Sequence, residues 1–192
     1  MDDATQSTRK RIFIGLKVNS EIANELAALA AALKDTPARR VAAPDIHLTL
    51  VPPWQENLID QAIGKLRQVA AQFMPFTLKL QHLGYGLQPR RPTLLWVDCA
   101  ATNEIATLHA ALMQTFGQED NRPFRPHVTL ARIRPSGQYF SRRHPIERYL
   151  DFEQVVRTVE LFQSPPPGAT GYQILASVEL GGSDPSGRVL AL

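Results

Sequence analysis

Hydrophobic and polar positions along this chain change period repeatedly, and each change marks a predicted element. Residues 11–18, Arg-Ile-Phe-Ile-Gly-Leu-Lys-Val, alternate with Ile12, Ile14, Leu16 and Val18 on one face, as a half-buried strand does. Asn19 or Ser20 stands where a helix cap belongs, Glu21 falls in the first turn, and Ile22, Leu26, Leu29 and Leu33 follow at helical spacing. Residues 34–44 are polar and contain proline, so they read as a loop. Residues 45–51 read as a second strand that Pro52-Pro53 should end, because proline has no N–H to give to a ladder. A second helix is predicted over 56–73, carried by Ile59, Ile63, Leu66 and Phe73. Strands over 76–83 and 93–100 flank a loop, 84–92, rich in Gly, Pro and Arg. Ile105, Leu108, Leu112 and Phe116 carry a third helix over 103–116. A strand over 125–133 leads into a long basic loop with a short helix near 145–150. Residues 155–162 and 172–180 are the last strands, and the tail 181–192 is expected to be loosely held.

The order is β-α-β-α-β, then β-α-β-(α)-β-β, as if one unit were used twice. Strands and helices mixed without strict alternation argue for an α+β sandwich: two antiparallel sheets with helices outside. A chain of 192 residues suits one domain, 1–192, or two small lobes sharing a core. Hydrophobic residues make up 44%, enough for a real core, and no apolar run approaches the ~20 residues that cross a bilayer. The opening Met1-Asp2-Asp3-Ala4-Thr5-Gln6 lacks the basic-then-apolar order of a secretory signal, so a cytoplasmic location is expected. Cys99 is the only cysteine, which excludes an internal disulfide and a cysteine-rich metal site.

Net charge is a mild +3, but its distribution is uneven. Seven arginines (122, 125, 132, 134, 142, 143 and 148) lie between Arg122 and Arg148, against one acid, Glu147. Arginine outnumbers lysine sixteen to five. A guanidinium fork fits phosphate oxygens bidentately where an ammonium cannot, so a phosphate-bearing partner is one reading and a solvated basic face the other.

The informative feature is a repeated tetrapeptide. Residues 47–50 read His-Leu-Thr-Leu and residues 127–130 read His-Val-Thr-Leu. Alternate side chains of a strand share a face. With Ile46, Leu48 and Leu50 inward, His47 and Thr49 project together from the other face; with Val128 and Leu130 inward, so do His127 and Thr129. A single His-x-Thr in a strand is commonplace, but two copies in equivalent strands suit a shared groove. Near neutral pH, imidazoles with an ordinary pKa of ~6.5 can serve one as base and one as acid. Opening a cyclic phosphodiester requires that pair, and a threonine hydroxyl two residues on can meet a phosphate oxygen. No cofactor or metal is required, and no third ligand stands at a recognisable spacing for zinc on His47 and His127.

Together with Phe124-Arg125-Pro126-His127-Val128-Thr129-Leu130-Ala131-Arg132, the first motif resembles the two-histidine (2H) phosphoesterase superfamily, and within it the RNA 2′,3′-cyclic phosphodiesterases, also called 2′-5′ RNA ligases. Arg11-Ile12-Phe13-Ile14, the later Leu161-Phe162-x-Ser164 and Tyr172 add to the likeness, which covers residues 11–180. The resemblance implies a bilobed α+β sandwich of pseudo-twofold symmetry, its two sheets lining a central groove. It implies hydrolysis of a 2′,3′-cyclic phosphate to a 2′-phosphate, with 2′-5′ joining as the reverse. By that carry-over His47 is the acid and His127 the base; the residues themselves leave the assignment open. Arg132 matches the arginine expected to bind phosphate, although strict alternation turns it inward unless the strand ends or bulges after Thr129. The chain departs from the family pattern at Val51-Pro52-Pro53-Trp54, where an aromatic–Leu–Gly run is usual, and at residues 40–43, where an aromatic residue is missing.

Phe13 and Tyr85 are candidates for stacking on a base, with packing between the lobes the equal alternative for Phe13. His109, on the flank of a helix, is read as packing; His82 and His144 belong to no motif. The expected partner is RNA with a cyclic phosphate end or a related nucleotide, bound by a monomer away from membranes. The rivals are a 2H enzyme acting on 2′-5′ oligoadenylate or small cyclic nucleotides, and an RNA-binding module without turnover.

Overall fold

Among the described residues nine strands pair antiparallel into one sheet, whose order explains how two distant motifs can meet. The structure is a computed structural model that describes residues 9–31, 37–86, 92–135, 139, 143 and 145–181. The elements are β1 (Lys10–Lys17), α1 (Ser20–Ala31), β2 (Ala38–Arg40), β3 (His47–Glu56), α2 (Ile59–Ala70), β4 (Phe76–Gly86), β5 (Leu94–Cys99), α3 (Asn103–Thr115), β6 (His127–Ile133), β7 (Glu147–Val156), β8 (Thr158–Gln163) and β9 (Gln173–Glu179). A 3₁₀ turn, Ala43–Asp45, precedes β3. Across the sheet the order is β7-β4-β5-β6-β3-β1-β8-β9, with β2 beside β6.

The two expected sheets are thus two halves of one hydrogen-bonded sheet. Each half contains a β-α-β unit (β1-α1-β3 and β5-α3-β6), and the motif strands β3 and β6 meet at the seam through one pair, Leu48 with Val128. Beyond it β3 and β6 separate and β2 takes up the free edge of β6, pairing Arg39 with Arg132.

The helices cover one face. Ile22, Leu26 and Ala30 of α1, Leu66 and Val69 of α2, and Ile105, Leu108 and Leu112 of α3 form one buried cluster with Ile12, Ile14, Leu16, Leu48, Leu50, Val128 and Leu130 from the strands. Each such Leu or Ile removed from water contributes about 1.5–3 kcal/mol, so this face fixes the register of the motif strands. Asn19 caps α1, its Oδ1 accepting the Ile22 N–H at 2.9 Å. The buried carboxylate of Glu160 is satisfied by the Lys17 N–H (3.0 Å) and the hydroxyls of Thr158 and Ser177.

Several boundaries differ from the sequence reading. Pro52-Pro53 does not end β3, which runs on to Glu56: pairing with β1 shifts between Ile12 with Trp54 and Ile14 with Val51, and the prolines sit in that irregularity, where no ladder N–H is asked of them. The short helix expected near 145–150 is instead the start of β7, which pairs with β4 from Gly84–Glu147 to Phe76–Val156. Residues 38–40, read as loop, form β2. Gly84, Tyr85 and Gly86, also read as loop, complete β4. Leu33, His144 and residues 182–192 of the tail lie outside the described residues. Among the described residues no helix is long and apolar enough to cross a membrane.

Candidate active site

Both motif strands carry the same irregularity, one residue past the threonine. In β3, Gly15 of β1 pairs with Thr49 but Ile14 pairs with Val51, leaving Leu50 as an extra residue. In β6, Trp96 of β5 pairs with Thr129 but Leu95 pairs with Ala131, leaving Leu130 extra. The bulge shifts the alternation, so Leu130 and Ala131 are both buried and Arg132 emerges exposed on the side of His127 and Thr129. The conflict over Arg132 is resolved by that shift. Counting from each histidine, the equivalent of Arg132 in β3 is Pro52, so the two motif strands supply one arginine rather than a symmetric pair.

Because Leu48 pairs with Val128, continuing the antiparallel register one residue each way sets His47 across from Thr129 and Thr49 across from His127. All four, with Arg132, line one cavity of about 280 Å³, which Arg39, Asp45 and Tyr172 also border. The five residues predicted for phosphate chemistry are therefore together.

The imidazoles are held alike. His47 Nδ1 lies 2.6 Å from the Asp45 carbonyl, and His127 Nδ1 lies 2.7 Å from the Arg125 carbonyl, each acceptor two residues upstream. A carbonyl only accepts, so Nδ1 carries the proton in both rings and Nε2 is the nitrogen left for a ligand. Burial lowers both pKa values from the ordinary 6.5, opposed in each by the carbonyl bond. Around His47 the Asp45 charge raises it while Arg132 and His127 lower it. Around His127 Asp98 raises it while Arg125 and Arg122 lower it.

What surrounds each ring differs. His47 is enclosed by Phe13 (4.8 Å between centroids), Tyr172 edge-on (5.1 Å) and Phe162 (5.3 Å). Phe13 stacks on Phe162 at 4.8 Å and is 2% exposed, so it offers no face to a base; it supports His47 instead. His127 rests against Trp96 at 4.4 Å. The Arg125 guanidinium lies over the same indole at 4.8 Å and is held by Asp98 through two bonds of 2.9 Å. Gly86 makes room for that indole: a Cβ there would fall 2.4 Å from the Trp96 ring.

Tyr85 lies in β4, packs against the core, has its hydroxyl buried without a hydrogen bond, and does not border the cavity. His82 sits within β4, 3.8 Å from Asp98 and 3.6 Å from Glu147. His109 packs as expected, stacked on Phe124 at 3.8 Å with Nδ1 2.7 Å from the Leu50 carbonyl. In the basic stretch, Arg122 and Arg125 are taken by Asp120 and Asp98, and among its described residues Arg132 is the arginine that borders the cavity. No group of three His, Cys, Asp or Glu placed to hold a metal occurs among the described residues. Sequence reasoning missed Trp96 and Arg39. Neither has a motif, and only strand pairing brings them to the site.

Comparison with known proteins gives this geometry a family. The sequence pattern described as the 2′-5′ RNA ligase superfamily matches residues 18–161. An RNA 2′,3′-cyclic phosphodiesterase of Bacillus subtilis (strain 168) is 28% identical over 134 residues, 65% of this chain and 72% of that protein. Another of that name from Geobacillus stearothermophilus is 31% identical over 135 residues, 65% of this chain but 42% of the longer relative. Among solved structures, a protein of Thermus thermophilus superposes with a TM-score of 0.75 at 20% identity, covering 91% of this chain and 100% of that one. E. coli LigT complexed with 3′-AMP gives 0.72 at 23% identity over 90% of this chain and 98% of its own, which establishes the shared fold. With most of its length inside the matched pattern, the chain belongs to the 2′-5′ RNA ligase superfamily.

Proposed function

We propose that this protein is a phosphodiesterase that opens the 2′,3′-cyclic phosphate end of RNA to a 2′-phosphate, using His47 and His127 as a proton-transfer pair and no metal. The observation that carries this reading is the matched pair of imidazoles. Each has Nδ1 tied to a backbone carbonyl, and both line a cavity with two threonines and one arginine. In the reaction His127 takes a proton from water through Nε2 as the water oxygen bonds to phosphorus. The bond from phosphorus to the ribose 3′ oxygen breaks, and His47 gives its Nε2 proton to that oxygen, leaving a 2′-phosphate and a free 3′ hydroxyl. With a 5′ hydroxyl in place of water, the same proton transfers bond it to the phosphorus as the ribose 3′ oxygen leaves, which forms a 2′-5′ linkage. Which imidazole is acid is carried over from the family resemblance. Thr49 and Thr129 donate to the non-bridging oxygens, and Arg132 balances the charge that grows on them. Two relatives bearing the name RNA 2′,3′-cyclic phosphodiesterase, and the E. coli relative complexed with 3′-AMP, support the choice of a nucleotide end.

Hydrolysis of a 2′,3′-cyclic mononucleotide in EDTA tests this directly. His47→Ala or His127→Ala should each lower kcat at least ~100-fold, the usual worth of a positioned acid or base. Thr49→Ala and Thr129→Ala should cost about 1.5–3 kcal/mol in kcat/KM, as for a hydrogen bond to a charged group. Near-normal turnover in either histidine variant would overturn the mechanism.

A further inference from the structure

Arg132 and Arg39 are register partners in the β6–β2 pair, so their side chains leave the same face of neighbouring strands. Both are exposed and both border the cavity. Like charges directly across an antiparallel pair destabilise it. Among the described residues no carboxylate lies within ion-pairing distance of either, whereas Arg122 and Arg125 each have one. Arg40, the next residue, also borders the cavity and gives its Nε–H to the Ala30 carbonyl of α1 at 3.0 Å. An anion bridging or following the two guanidiniums would turn the repulsion into attraction.

Arg39 borders the same cavity as the two histidines but stands on a different strand. His47, Thr49, His127 and Thr129 come from β3 and β6, and Arg132 from the end of β6, whereas Arg39 stands one strand farther out, roughly 4.8 Å across the sheet. On β3, across the seam, Pro52 occupies the position equivalent to Arg132. Among the described residues that border the cavity, the arginines, Arg132, Arg39 and Arg40, come from β6 and β2.

Resting on the reaction proposed above, we infer that Arg39 binds the phosphodiester that precedes the cyclic end, so that the substrate is an RNA strand lying across β6 and β2 rather than a lone nucleotide. A cyclic mononucleotide has no second phosphate to reach Arg39; an oligonucleotide with the same end has one.

The test compares a 2′,3′-cyclic mononucleotide with a short RNA oligonucleotide ending in that nucleotide, for the wild type, Arg39→Gln and Arg39→Lys. In Arg39→Gln the ratio of kcat/KM, oligonucleotide over mononucleotide, should fall about tenfold through KM, at the low end for a charged hydrogen bond because the site is exposed. The slope of log kcat/KM against log salt for the oligonucleotide should become shallower by about 0.7, one single-stranded phosphate contact. Arg39→Lys should restore the salt slope more than the ratio, because it keeps the charge and loses the fork. An unchanged ratio overturns the inference, whether both rates fall equally (Arg39 then serves the terminal phosphate) or neither falls. A wild-type protein that opens neither substrate overturns instead the reading on which this rests.

Discussion

His47 and His127 each give Nδ1–H to a carbonyl two residues upstream, and that bond decides what the ring can do. With Nδ1 protonated, a neutral ring presents Nε2 as a base and a charged ring presents Nε2–H as an acid. The same local geometry thus serves both roles, and surroundings alone set them apart. Burial lowers both pKa values below 6.5. In the proposed mechanism one ring is neutral and one charged, so kcat/KM should peak on the acid side of pH 6.5 and fall as the acid ring loses its proton. Arg132 is one cause holding His47 low. Removing that cation lets His47 keep its proton to higher pH, so in Arg132→Gln the limb of the profile that belongs to His47 should move toward alkaline pH. A pH–rate series on both proteins checks this. At this scale the sequence was readable for His47, Thr49, His127 and Thr129, because alternation alone sets them opposite the core. For Phe13 it left stacking and packing open, and packing is what the ring does. The same alternation sends that ring to the groove side, but Phe162, Tyr172 and His47 fill the space a base would need.

Elements position these residues through departures from regularity. Paired bulges after Thr49 and Thr129 separate the core-facing leucines from the groove, and the second delivers Arg132 to the cavity. Gly86 in β4 leaves room for the indole of β5, which rests against His127 at a tilt of 45°. Gly86→Ala should push Trp96 toward His127, costing about 1–3 kcal/mol of stability as overpacking does and lowering kcat with it. Gly64 in α2 is the useful contrast, since a Cβ there meets nothing within 4 Å. Gly64→Ala should stabilise by roughly 0.5–1 kcal/mol, from helix propensity alone, and leave kcat unchanged. Thermal melts and turnover of the two variants separate the effects. Helix positions were legible because each helix has an apolar stripe at the 3.6-residue period. β2 and the first half of β7 were not: β2 is three residues long, and β7 begins in an exposed stretch whose edge position asks for no alternation.

Over the whole molecule, the sheet joins two similar halves at one residue pair, so the cavity lies where the halves begin to part. Burying two imidazoles at that seam links the site to stability. A histidine whose pKa is lower folded than unfolded binds fewer protons folded, so stability is full above the unfolded value of ~6.5 and is lost as pH falls through the folded values. Melting temperature should therefore drop between pH 7.5 and 5.5, and by less in a His47→Gln/His127→Gln double variant; equal drops in both proteins would remove the site from the account. By itself the sequence determined the helices, the strand faces and the doubling of His-x-Thr, because periodicity is a local property that burial enforces residue by residue. Which strands became neighbours was decided only in the tertiary structure. The pairing of Leu48 with Val128, the Trp96 platform and the meeting of Arg39 with Arg132 join residues roughly 80 or 90 apart at two of those contacts, where backbone hydrogen bonds between strands carry no side-chain signature a linear reading could detect.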